Sequence, residues 1–249
     1  MRKIISLSLA GALALSLAAC GSGGDAGATS GEALPKVAAP AGQNWSAVVR
    51  ATDEGFLMGN PDAPIKVVEY GSLTCSHCGE FSQTSHEELR RDFIDTGRVS
   101  FEMRPFIRDP LDLSMAVVAA CQGPERFFPL VDSLFAGQNA ILENASAVSQ
   151  SSAEQLQNIQ NLPENQRLPA MAQIFGVANI FAARGVPADV VTRCIGDAAA
   201  VQRRVEATSN AVQRYEVNVT PTFMINGAIA SDVATWPQMR DKLRAAGAR

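Results

Sequence analysis

Pro64-Ile65-Lys66-Val67-Val68-Glu69-Tyr70-Gly71-Ser72-Leu73-Thr74-Cys75-Ser76-His77-Cys78-Gly79-Glu80-Phe81 is the stretch on which the fold turns. Ile65, Val67, Val68 and Tyr70 are β-branched or aromatic and stand between Pro64 and Gly71, which favours a short core strand over a helix. From Ser76 on, Phe81, Leu89 and Phe93 recur at helical spacing among Glu, Gln and Arg, the pattern of an amphipathic helix. Cys75 and Cys78 therefore sit at i and i+3 where that helix begins. The spacing lets the two thiols close a disulfide. The first lies where unpaired backbone N–H groups and the helix dipole stabilise a thiolate.

The flanks extend the pattern. Phe56-Leu57-Met58 followed by Gly59-Asn60-Pro61 reads as a short edge strand and a turn. After the cysteine helix, Gly97 is placed as a C-cap. Val99, Phe101 and Met103 then alternate with Ser100, Glu102 and Arg104, which predicts a second strand, parallel to the first with a right-handed crossover. Beyond Pro110 the periodicity turns helical. Phe127, Leu130, Val131 and Leu134 form one face, and Met171, Ile174 and Phe175 another, with Gly185 as a stop and Pro187 as a fresh start. Ser146 to Gln166 is polar and reads as a short helix and a loop. Asp197 caps a long helix carrying Val201, Val205, Thr208 and Val212. Thr222 to Ile225 and Ala228 to Ala230 flank Asn226-Gly227, a strong hairpin signal. A last helix runs from Trp236 to Ala246.

The strand, the Cys75-Ser76-His77-Cys78 motif at the helix start and the later Thr220-Pro221-Thr222-Phe223 resemble the thioredoxin superfamily. From about Phe56 onward the chain is similar to its DsbA-type periplasmic thiol-disulfide oxidoreductases. The resemblance implies an α/β thioredoxin fold, a central mixed β-sheet flanked by helices, with an inserted α-helical domain. Residues 46–249 would form one such domain, with thioredoxin parts at about 56–110 and 196–249 and the helical insertion at about 111–195. It also implies roles: Cys75 the exposed nucleophile, Cys78 the shielded resolving thiol, and Glu69 the acid beneath the site that moves the buried thiol's proton. Pro221 would be the cis-proline facing the disulfide, leaving the backbone of Thr220 to pair with an extended substrate. His77, between the cysteines, would favour the thiolate as imidazolium. Ser76 stands where relatives often carry Pro, and Thr220 where their oxidases often carry Val, so both bear on the direction of the reaction. His86 reads as a solvated surface residue.

Arg2 and Lys3 precede an uncharged apolar run from Ile4 to Ala19, a signal-peptide pattern rather than a spanning helix of about 20 residues. Leu17-Ala18-Ala19-Cys20 resembles a bacterial lipobox, with Cys20 the lipidated N-terminus; the alternative is ordinary cleavage near Ala19. Residues 20–45 read as a flexible linker. Without residues 1–19 the chain has 19 basic against 25 acidic residues, a net charge near −6 that argues against a nucleic-acid partner.

Setting Cys20 aside leaves four cysteines. In an oxidising compartment two free thiols far apart in sequence are a liability, so Cys121 and Cys194 are expected to form a structural disulfide, against two separate buried thiols. Structural zinc at Cys75 and Cys78 would need four ligands, and two histidines with no second C-x-x-C do not supply them. No metal or cofactor is expected beyond the Cys75-Cys78 redox pair. The expected function is a periplasmic, lipid-anchored, monomeric dithiol oxidase acting on reduced secreted proteins and restored by a membrane redox partner. A reductase or isomerase with the same site, and a non-catalytic binding module, are the alternatives.

Overall fold

The computed structural model describes residues 32–249, so the signal peptide and Cys20 lie outside the described residues. Six strands form one mixed sheet: β1 (Val49–Ala51), β2 (Phe56–Gly59), β3 (Ile65–Gly71), β4 (Val99–Pro105), β5 (Thr222–Ile225) and β6 (Ala228–Ile229), in the order β1-β2-β4-β3-β5-β6. β3 and β4 are parallel, with Val67 beside Phe101 and Glu69 beside Met103. β5 runs antiparallel to β3 on its other side. The crossover between β3 and β4 is α1 (Ser76–Glu88), which continues through a π-helical segment, Leu89–Ile94. Gly97 then turns the chain at φ +72°, where a Cβ would meet the Val37 carbonyl at 2.5 Å.

Alternation along β3 sorts its side chains between two faces. Ile65 and Val67 join the main core under α1, so Glu69 faces the same way. Tyr70 packs with Ala211, Val217 and Met224 on the other face, beneath α9 (Ala198–Tyr215), whose N-cap is Asp197. The closing helix α10 (Trp236–Ala245) sets Trp236 edge-on against Phe81 and Phe93.

Between β4 and α9 lie seven helices: α2 (Pro110–Cys121), α3 (Pro124–Ala136), α4 (Gln138–Ser151), α5 (Ala153–Ile159), α6 (Glu164–Ile174), α7 (Val177–Ala182) and α8 (Ala188–Gly196). The expected loop within Ser146 to Gln166 is instead mostly helix, continuing α4 and forming α5. Polar residues there are helix-competent, and Ile159 supplies a buried anchor. Phe56–Gly59 is not an edge strand, because β1 pairs along its outer side and all four residues are buried. The expected linker ends early as well. Leu34 N–H donates to Gly247 and Val37 N–H to Thr96, while the Trp45 indole donates to Val37. Trp45 in the core and Leu34 packed against it give that segment something to bury.

Candidate active site

Cys75 is the N-cap of α1, in extended backbone, and Cys78 lies within the first turn. The helix therefore aims its free N–H groups at the Cys75 sulfur. Both cysteines are free thiols. Cys75 is only 4% exposed and Cys78 0%, so the expected exposed nucleophile is itself nearly covered. Thr220 lies against it, its carbonyl oxygen 3.2 Å from the Cys75 sulfur as an acceptor for the protonated thiol, and is followed by the cis peptide bond to Pro221.

These surroundings separate the two thiols. The Cys78 thiol, hydrogen-bonded to Cys75, pulls the Cys75 pKa down to about 4 against the opposing effect of burial; the Thr220 side chain and the backbone N–H groups of Cys78 and His77 add to it. The Thr220 hydroxyl is buried without another partner, which leaves it free to serve that thiolate. Burial pushes the Cys78 thiol up, and its hydrogen bond to Cys75 and the charge of Glu69 push the same way. At neutral pH Cys75 is a thiolate and Cys78 keeps its proton.

Glu69 is 3% exposed, on the β3 face that meets α1, and its Oε1 has no hydrogen-bond partner. Burial, helped by the charge of Cys75, raises its pKa to about 8. It is an acid that holds a proton at neutral pH next to a thiol that must gain and lose one. The alternative of a solvent-facing strand-edge carboxylate does not describe this position.

Sequence reasoning missed three residues that hold the turn before Cys75. Asp112, on α2 and 1% exposed, accepts the Leu73 N–H at 2.8 Å, the Ser72 hydroxyl at 2.7 Å and the Arg108 N–H at 3.1 Å. Asp109, the N-cap of α2, accepts the Thr74 hydroxyl at 2.6 Å. From the start of α4, Gln138 donates to the carbonyls of Leu73 and Cys75, both at 2.9 Å. Gly79 makes room for it, since a Cβ there would lie 2.3 Å from the Gln138 Oε1. The only sequence signal was Asp109-Pro110-x-Asp112, a helix start with acids in its first turn.

The other expected residues fall as follows. Ser76 and His77 are exposed in the first turn of α1. The His77 side chain, 76% exposed, leans toward Glu80 at 3.8 Å. Among the influences on Cys75, His77 acts through its backbone N–H and not through its ring. His86 is not merely solvated: Arg90 donates to its Nε2 at 3.0 Å and its Nδ1 lies 3.4 Å from Asp132. Cys121 and Cys194 are joined by a disulfide between the ends of α2 and α8. Beside the active site, a groove of about 640 Å³ runs between α1, residues 219–221 and α10, lined by His77, Phe81, Val219, Pro221 and Trp236. Val219 on its rim is 68% exposed. Among the described residues no three His, Cys, Asp or Glu converge as a metal site.

Comparison with known proteins agrees with this geometry. The thioredoxin family model matches residues 51–245. The structure of a protein-disulfide isomerase from Novosphingobium aromaticivorans superposes with a TM-score of 0.70 at 30% identity, over 76% of this chain and 95% of the other. Wolbachia pipientis alpha-DsbA1, 23% identical with a TM-score of 0.54 over 74% of this chain and 79% of its own, shares the fold. A Rickettsia felis protein provisionally named a protein-disulfide oxidoreductase is 27% identical over 180 residues, 72% of this chain and 55% of that protein. The chain thus spans about half the length of that curated relative. With the C-x-x-C at a helix start, the cis-proline after Thr220 and a thioredoxin model matching most of its length, the chain belongs to the thioredoxin family.

Proposed function

We propose that the protein is an extracytoplasmic thiol-disulfide oxidoreductase that passes the Cys75-Cys78 disulfide to reduced secreted proteins. One observation carries the direction: the site stabilises a Cys75 thiolate with a thiol, backbone N–H groups and the Thr220 side chain while enclosing Cys78. A dithiol whose reduced form is stabilised gives up its disulfide readily. A substrate thiolate attacks the Cys75 sulfur, the bond to Cys78 breaks, and Cys78 leaves with the electron pair and takes a proton. A second substrate thiolate then attacks the substrate sulfur of the mixed disulfide and releases Cys75 as thiolate. Two electrons pass from substrate to protein, and a membrane redox partner would withdraw them.

The groove beside Pro221 supports a protein substrate, since apolar walls next to the Thr220 backbone suit an extended segment. Lipid anchoring through Cys20 and a monomeric state complete the reading; both rest on sequence. No helix among the described residues is long and apolar enough to cross a membrane. A second reading, isomerase or reductase, is favoured by the Novosphingobium structure's name at 30% identity. Redox equilibration with glutathione separates the two. A potential near −120 mV supports the oxidase, and one near −250 mV assigns the same site to reduction.

A further inference from the structure

A partly open cavity of about 40 Å³ lies between α1, the π-helical segment and α3. Its lining includes Glu69, buried at its inner end, and the partly exposed side chains of His86, Arg90 and Asp132 at its outer end, together with Ser82 and Ser85; the remaining walls are apolar. At about 10–15 Å³ per water it has room for about three. The polar contacts water requires are present. Glu69 Oε1 is buried with no partner, and Ser82 and Ser85 line the same cavity. Ser82, His86 and Asp132 also line an open surface pocket, so the same side chains border the cavity and the solvent.

The outer end is ordered by charge. Arg90 donates to Asp132 Oδ2 at 2.6 Å and to His86 Nε2 at 3.0 Å. Arginine only donates, so Nε2 carries no hydrogen and the His86 Nδ1–H faces Asp132 at 3.4 Å. Glu87 and Arg91 are the further charged groups around His86 in the surface pocket, with Glu88. At the inner end the groups acting on Glu69 are Cys75 and Cys78, and its strand neighbours Met103 and Phe223 are apolar.

We propose that water in this cavity carries protons between Glu69 and the His86-Asp132 pair, so that Cys78 exchanges its proton through the flank of the fold. The site demands such a route. In the mixed disulfide a substrate covers the Cys75 face, yet the departing Cys78 thiolate still needs one proton. Glu69 gives it that proton, becomes a carboxylate, and regains one from solvent by way of the water and the imidazole, a side chain suited to proton transfer near neutral pH. The reverse order serves reoxidation. His86 and Asp132 are positioning residues for the relay and do not touch the sulfurs.

This inference rests on exchange at Cys75-Cys78 in either direction, so it stands apart from the oxidase reading. The test measures reduction of the disulfide by dithiothreitol in rapid mixing across pH, with the solvent deuterium isotope effect, in the wild type, His86→Gln and Asp132→Asn, and the redox potential of each. Expected are a rate at least fivefold lower at neutral pH in both variants, an altered pH profile, an unchanged potential, and recovery of the His86→Gln rate on adding free imidazole. Rates and isotope effects equal to wild type in both variants would overturn the proposal. So would a loss that imidazole fails to restore, which would mark His86 as structural. A crystal structure showing the cavity empty of water beside Glu69 would overturn it independently of any variant.

Discussion

Asp112→Asn offers a test in which stability changes sign with pH. Three hydrogen bonds to the Asp112 carboxylate favour its charged form, and burial opposes them more strongly, so its pKa rises from 3.8 to about 7. The folded protein keeps the proton up to about pH 7, whereas the unfolded chain releases it from about pH 4. Stability from this group is therefore fully present below pH 4, declines as pH rises to 7, and is flat above. A displacement of roughly three pH units at 1.36 kcal/mol each amounts to about 4 kcal/mol at pH 8 and less than about 1 at pH 4. When neutral, the carboxyl can donate to Ser72, whose hydroxyl turns to Thr74 Oγ1 at 3.2 Å. The asparagine has a single acceptor oxygen and cannot receive both the Leu73 and Arg108 N–H groups. That costs about 1–3 kcal/mol at every pH. The variant should be less stable than wild type by about 1–2 kcal/mol at pH 4 and more stable by about 1–3 at pH 8. Urea unfolding of the oxidised proteins, in which the cysteines do not titrate, measures the difference. A difference constant from pH 4 to 8 would refute the reasoning, because the hydrogen bonds would then outweigh burial.

Three further outcomes follow from the same geometry. Cys78→Ala should raise the Cys75 pKa from about 4, since the Cys78 thiol is the largest influence lowering it; ultraviolet thiolate absorbance against pH reads this, and an unmoved titration would assign the effect to the helix N–H groups. Replacing Cys121 and Cys194 together by Ala frees a loop whose ends are 73 residues apart; the loop-entropy relation gives a loss of about 4 kcal/mol, and urea unfolding showing under about 1 would contradict it. Gln138→Ala leaves the Leu73 carbonyl without its donor and should cost about 1–3 kcal/mol, with the Cys75 titration displaced as the turn loosens; a stable variant with an unchanged titration would show that the turn holds itself.

The sheet and the paired cysteines were legible because both depend on local pattern. A β-branched run between Pro64 and Gly71 buries wherever it packs, and i, i+3 cysteines at a helix start come within disulfide reach by backbone geometry alone. Glu69 was legible for a related reason: a carboxylate within an apolar strand announces its own cost. β1 was missed because Val49-Arg50-Ala51 is short and two of its three residues are exposed, so its pairing with β2 leaves no periodic trace. Ser146 to Gln166 was read as partly loop because polar residues carry little periodicity, although Val148 and Leu156 pack against the core and Ile159 is buried. Asp112 and Gln138 escaped for a deeper reason. Each acts on the 72–75 turn from a helix 40 or 65 residues away, and neither lies in a motif that names its target.

That last failure bears on how the inserted helices serve the site. Asp109 and Asp112 on α2 and Gln138 on α4 bond to Ser72, Leu73, Thr74 and Cys75, so the turn that presents the nucleophile is held from outside the sheet. Asp132 on α3 closes the cavity that reaches Glu69. The strand and the cysteine helix supply the reacting groups, while α2 to α4 fix the angle of the nucleophile and border the space behind the buried acid. A change in those helices can therefore alter the chemistry at Cys75 and Cys78 without touching either sulfur, and the Asp112, Asp132 and Gln138 variants measure that dependence from three separate elements.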